Sequence, residues 1–251
     1  MVKETLFVAV TAVLAVTLIV FELYAPARKY ERGIMVRSYV TNLLLFGANN
    51  LFSLALHISS VFLIVVLWSP TGGIFTALPL WMQGVFGVVI LDASIWLWHM
   101  LNHKVSMLWT FHKCHHSEQY LNATSALRFH IGELLLSVLW KSMVLILVGI
   151  PLWVFVLSEF LLTACALLHH ANITFQPRVQ RYIELIFVTP YWHRVHHSTI
   201  RSEHDSNYGV IFTWWDRIFH TVVRVTPAQI GLQNIPEKLF YSFLTFPFRK
   251  N

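Results

Sequence analysis

Two short stretches of this chain concentrate histidine. Residues 99 to 116, HMLNHKVSMLWTFHKCHH, hold five histidines and no carboxylate, and YWHRVHH at 191 to 197 holds three more. His99 and His103 are spaced i, i+4, and His112, His115 and His116 are spaced i, i+3, i+4, so each set leaves one face of a helix. His193, His196 and His197 repeat the triplet about eighty residues later. Neutral imidazole suits iron, zinc, copper or nickel, and a nitrogen-rich set without thiolates argues against an iron-sulfur cluster or a structural zinc finger. With His170, the candidates His99, His103, His112, His115, His116, His193, His196 and His197 number nine. That exceeds what one metal accommodates with an open position, so the count points to two.

The elements that carry these residues belong to a membrane. Over 251 residues the chain is 56% hydrophobic and only 12% charged, and its mean hydropathy of +0.60 is that of a polytopic membrane protein. A net charge of +6 could suggest nucleic acid, but the basic residues are scattered through connectors with no stacking aromatic stripe. Cys114 and Cys165 have no paired spacing and read as inert.

Apolar runs locate the spans. The first covers residues 6 to 23; Ala25-Pro26-Ala27 imitates a signal cleavage site, but the run is long and Arg28, Lys29, Arg32 and Arg37 follow as a cytoplasmic anchor. A second span is expected at 42 to 69, closed by Ser69-Pro70-Thr71-Gly72-Gly73, with His57 as a packing residue inside it. A third runs from 74 to 98 and delivers His99 and His103 at its far end. Residues 134 to 168 form an apolar hairpin broken at Gly149-Ile150-Pro151, with arms of about 17 residues that either cross or dip deeply. With the N-terminus outside, the loop at 28 to 37, the connector at 99 to 132 and the tail from Asn172 share the cytoplasmic side. Only Lys3 is left outside and Lys141 within the hairpin. The expectation is an all-α integral membrane protein with four to five membrane-embedded helices and a cytoplasmic-face, histidine-rich helical cap. It divides into N-terminal spans at 1 to 84, a catalytic domain at 85 to 222 and a C-terminal tail at 223 to 251.

HMLNH at 99 to 103, WTFHKCHH at 109 to 116, ALRFH at 126 to 130, HHAN at 169 to 172 and HRVHH at 193 to 197 resemble the ordered histidine boxes of the fatty acid hydroxylase and sterol desaturase superfamily. DSNYG at 205 to 209 and WDR at 215 to 217 resemble its bacterial branch. The resemblance implies an integral membrane, non-haem di-iron oxidase that uses O2 and external electrons to hydroxylate or desaturate a lipid C–H bond. Its centre would sit in a bacterial inner membrane, or in the endoplasmic reticulum of a eukaryote. The two HxxHH triplets and HxxxH carry over directly, and His170 matches the family position in HHAN, with His169 as its neighbour. His130 matches a later family histidine that either binds metal or orients another group. No flavin, nicotinamide or fused cytochrome motif is visible, so a separate cytochrome b5-, ferredoxin- or reductase-like donor is implied.

Buried charges add further candidates. Asp92 precedes His99 by seven residues and His103 by eleven, on nearly the same helical direction, so it either orients a ligand histidine or makes a structural pairing. Lys141 and Glu159 lie at similar depth across the hairpin and read as a structural pair. Arg128, Asp205 and Asn207 are candidates to support the site, against a reading of DSNYG as a turn chosen for its backbone. His204 and His220 fit no box. A membrane zinc hydrolase and a metal transporter or sensor are the competing classes; the first lacks an HExxH motif, and the second would place its ligands at mid-membrane.

Overall fold

A computed structural model of the chain describes residues 2 to 55, 74 to 232, 240 to 243 and 245 to 248. Its long elements are all helices, and the described residues contain only isolated β-bridges, Phe187 with Phe212 and Ser198 with Ile230. Four helices are long and apolar enough to cross a membrane: α1 (Val2–Tyr24), α3 (Leu80–Lys104), α5 (Ile131–Val148) and α6 (Leu152–His170). The protein is an integral membrane protein. On α1 the outward positions include Leu6, Val13, Val16 and Leu23, apolar side chains suited to lipid.

The second helix departs from expectation. α2 (Arg32–Ala55) starts ten residues before residue 42, and the rest of the span expected to 69, with its closing turn and His57, lies outside the described residues. Hydropathy hid this start because α2 turns its polar residues inward. Ser38 Oγ and Asn42 Nδ2 donate to Glu118 Oε2 at 2.7 and 2.9 Å, and Asn49 Nδ2 donates to the Phe129 carbonyl. On α1, Glu22 Oε1 accepts from the backbone of Ala123 and Asn172. Both N-terminal helices are thus fastened to the connector that follows the histidines.

The third span is also shifted. A short turn of 3-10 helix occupies Ile74–Ala77, Pro79 caps the helix, and α3 then continues to Lys104. His99 and His103 therefore stand within its last two turns, since nothing in HMLNHK interrupts the hydrogen-bond ladder before Val105 turns extended. α4 (Ser106–His116) follows at once and carries the first triplet. The hairpin breaks as expected: Gly149 caps α5 in the left-handed region, at φ 71°, and Pro151 is the N-cap of α6. Gly87 lets α3 approach α6, where a Cβ would come within 2.2 Å of Val154. Leu91, Val144, Leu145, Ile150, Val154 and Phe155 fill the core among these three helices.

Beyond α6 the chain forms short helices: α7 (Pro177–Ile183), α8 (Pro190–His196), α9 (Arg201–His204) and α10 (Trp214–Ile218). Proline opens α7 and α8, where its missing N–H costs nothing. Near the C-terminus, Phe243 and Phe246 are buried against Leu45 and Cys114, so that segment covers the outer side of α4.

Candidate metal centre

All nine sequence-identified histidines are buried and arrive from four elements. The last turns of α3 supply His99 and His103, α4 supplies His112, His115 and His116, the end of α6 supplies His170, and α8 with its C-cap supplies His193, His196 and His197. Their ring nitrogens form two groups, each with donor atoms within 4.8 Å of one another. His99, His103, His112, His116 and His196 make one, and His115, His170, His193 and His197 the other. Each triplet divides between the groups, which touch where the rings of His116 and His197 stack at 4.6 Å.

Hydrogen bonds aim the first group. Nδ1 of His99 faces the Tyr208 carbonyl at 2.9 Å and Nδ1 of His196 faces the Ser206 carbonyl at 2.7 Å. A carbonyl only accepts, so Nδ1 carries the proton and Nε2 is left with its lone pair. Nδ1 of His112 meets Glu133 Oε1 at 2.7 Å, and Nδ1 of His103 meets Asp205 Oδ1 at 3.3 Å. The opposite atoms, Nε2 of His103, His112 and His196, and both nitrogens of His116 are buried without a partner among the described residues.

In the second group the Nε2 atoms face each other, with 3.1 Å from His170 to His115, from His193 to His170 and from His197 to His193. Nitrogens bound about 2.1 Å from one ion are separated by roughly 3.0 to 3.4 Å. Burial, followed by the neighbouring imidazoles, holds His115, His116, His193, His196 and His197 well below the usual imidazole pKa. They are neutral, the form that binds metal. Orphaned buried nitrogens are costly, and two cations would satisfy them. The residues fit two metal ions.

A cavity of about 460 Å³ opens on both groups between α2, α3, α5 and α6. His99, His112, His115, His170 and His193 form its floor, and Leu127, Phe129, Leu134, Leu162 and Ala166 give it apolar walls.

Residues 84 to 221 match the family model described as fatty acid hydroxylase. The chain belongs to the fatty acid hydroxylase family. Among its relatives, it is 33% identical to the ornithine lipid hydroxylase OlsE of Rhizobium tropici over 175 residues, 68% of this chain and 52% of that protein. It is 29% identical to human alkylglycerol monooxygenase over 56% of this chain and 30% of that one. With human cholesterol 25-hydroxylase the identity is 26%, over 55% and 50%. The chain spans about half or less of the length of these relatives. No solved structure matches it significantly.

Within this family member the remaining candidates separate by position. Asp205 reaches the site through His103 and also takes Lys104 Nζ at 3.1 Å. Among the described residues Asp92 makes no direct contact with a histidine, and its bonds fit the structural pairing, the other of the two roles considered from helical direction. Its carboxylate accepts from the backbone of Ile211 and Phe212 and from Trp215 Nε1, because the chain beyond α9 folds back over that face of α3. Asn207 is likewise turned away. At φ 52° its amide bridges the Trp192 and Val223 carbonyls, while Ser206 and Tyr208 on either side present carbonyls to histidine. His130 lies outside both groups; its Nδ1 accepts from Gly132 N and caps α5. His169 also lies outside them, packed on His193 with ring centres 4.0 Å apart. Arg128 sits behind α4, donating to Asn42 and Glu118. Lys141 Nζ donates to Glu159 Oε2 at 2.8 Å.

Three further contributors lie outside the histidine boxes, Asp216 among them within the WDR motif. Glu133 could have been suspected as a buried acid in the first turn after His130. Asp216 gathers Trp96 Nε1, Trp192 Nε1 and the backbone of Tyr208 and Gly209, holding the turn that faces His99. His204 fits no box yet stacks on Trp109 at 5.5 Å and lies 5.8 Å from the His103 ring.

Proposed function

We propose that this protein is a membrane-bound, non-haem di-iron oxygenase that uses O2 and external electrons to hydroxylate or desaturate a lipid C–H bond. The observation that carries the reading is the pair of buried histidine groups opening on a cavity between membrane helices. Family membership and relatives named as lipid hydroxylases and monooxygenases support it. His99, His103, His112, His116 and His196 would hold one iron, and His115, His170, His193 and His197 the other. Bound there, the metals supply the O2-dependent redox chemistry that no side chain provides.

The chain's own part is positional. Glu133, Asp205 and the carbonyls of Ser206 and Tyr208 keep Nδ1 protons in place and aim Nε2 inward. Leu162, Ala166 and Phe129 line an acyl-compatible passage to the histidines and keep water from the reacting carbon. The basic residues Arg28, Lys29, Arg32 and Arg37 support a cytoplasmic orientation of the centre, where a separate soluble or membrane-bound donor delivers electrons.

Metal analysis with an oxygen electrode tests the reading. Protein purified without air should carry about two irons per chain, one per histidine group, and consume O2 only with both reductant and lipid. A single zinc with reductant-independent hydrolysis would overturn it in favour of a hydrolase.

A further inference from the structure

The cavity runs away from the histidines toward a pair of charges. Lys141 Nζ and Glu159 Oε2 are bonded at 2.8 Å, yet the side chains are 22% and 36% exposed, and both line the cavity. Ser137, one turn before Lys141, and Thr163, one turn after Glu159, line the same passage, so the pair belongs to a polar strip. Lys141 lies eight residues beyond Glu133, and Glu159 eleven before His170. At about 1.5 Å per residue, the pair sits roughly 12 to 16 Å from the histidine layer, near the middle of the hydrocarbon core.

An ammonium has three donor hydrogens and a carboxylate about four acceptor positions, so one mutual bond leaves capacity on both partners. The pair is neutral overall, and a charged headgroup at that depth would be left uncompensated. A hydrocarbon would satisfy neither partner, and an ester carbonyl only the lysine. A hydroxyl satisfies both, accepting from Nζ while donating to Oε.

We propose that Lys141 and Glu159 form a polar-group subsite that binds a hydroxyl carried by the lipid and thereby sets which carbon reaches the histidine centre. This rests on reading the cavity as the lipid site, and its test measures binding without turnover, so the two ideas fail separately. Protein in nanodiscs is equilibrated with an equimolar mixture of dodecanol and dodecane, and the retained ratio is measured by gas chromatography against empty nanodiscs. The wild type should enrich the alcohol about tenfold or more, as hydrogen bonds to charged groups imply. The double variant K141M/E159L, apolar and free of an unpaired charge, should lose that preference while keeping its iron content and Tm. K141R, which keeps the pair, should retain it. Absence of enrichment in the wild type overturns the subsite whatever the variants do. Equal enrichment in wild type and a folded double variant also overturns it.

Discussion

Glu133 Oε1 lies 2.7 Å from His112 Nδ1, and both side chains are almost fully buried. The carboxylate reaches back from the first turn of α5 to a histidine 21 residues earlier. It therefore decides which nitrogen of His112 carries the proton.

Glu133→Ala should weaken metal retention about 10- to 100-fold, the usual effect of removing a carboxylate behind a ligand histidine. Glu133→Gln, which keeps an acceptor oxygen, should fall between Ala and wild type. Competition with a calibrated chelator measures both, and retention unchanged in the alanine variant would remove Glu133 from the centre.

His196→Ala and His115→Ala probe different groups. Each should abolish lipid oxidation and lower iron by about one ion per chain while leaving membrane insertion intact. Elemental analysis of the membrane fraction decides. Full iron and normal turnover in either variant would refute that ligand.

Asp92→Ala should act on stability first. Three donors, from Ile211, Phe212 and Trp215, lose their acceptor, at a cost of about 2 to 5 kcal/mol. The expected sign is a lower Tm in detergent, with iron loss following only as the segment over α3 loosens. A Tm equal to wild type would count against this anchoring role.

Removal of metal should lower Tm, because ions that bind only the folded chain stabilise it by mass action. The stripped protein should also be acid-sensitive. In the folded chain His115, His116, His193, His196 and His197 have lowered pKa values. As pH falls below about 6.5, the unfolded chain takes up protons that the folded chain refuses, so stability declines. Scanning Tm of chelated protein from about pH 8 to pH 5 checks this; a flat profile would contradict neutral burial of the histidines.

Much of the site was legible along the chain. Eight of the nine histidines stand at i, i+3 and i+4 spacings, and that signal is local, because helical geometry alone puts such residues on one face; His170 was placed by its match to the HHAN box. The hairpin break at Gly149 and Pro151 was equally readable, since both residues act through their own backbone. The start of α2 was not, because its buried Ser38 and Asn42 look like a solvated surface until Glu118 is seen beside them.

By itself, then, the sequence determined the membrane class, the histidine set and the helix faces that present it. Only the tertiary structure decided how the triplets divide between two groups, and which atoms aim each ring. The acceptors for His99, His103 and His196 are Tyr208, Asp205 and Ser206, and they lie on an irregular turn with no periodicity to read. Asp216 holds that turn from eight residues away, and Asp92 on α3 holds the chain just beyond it at Ile211, a pairing across 119 residues that exists only once the helices have packed.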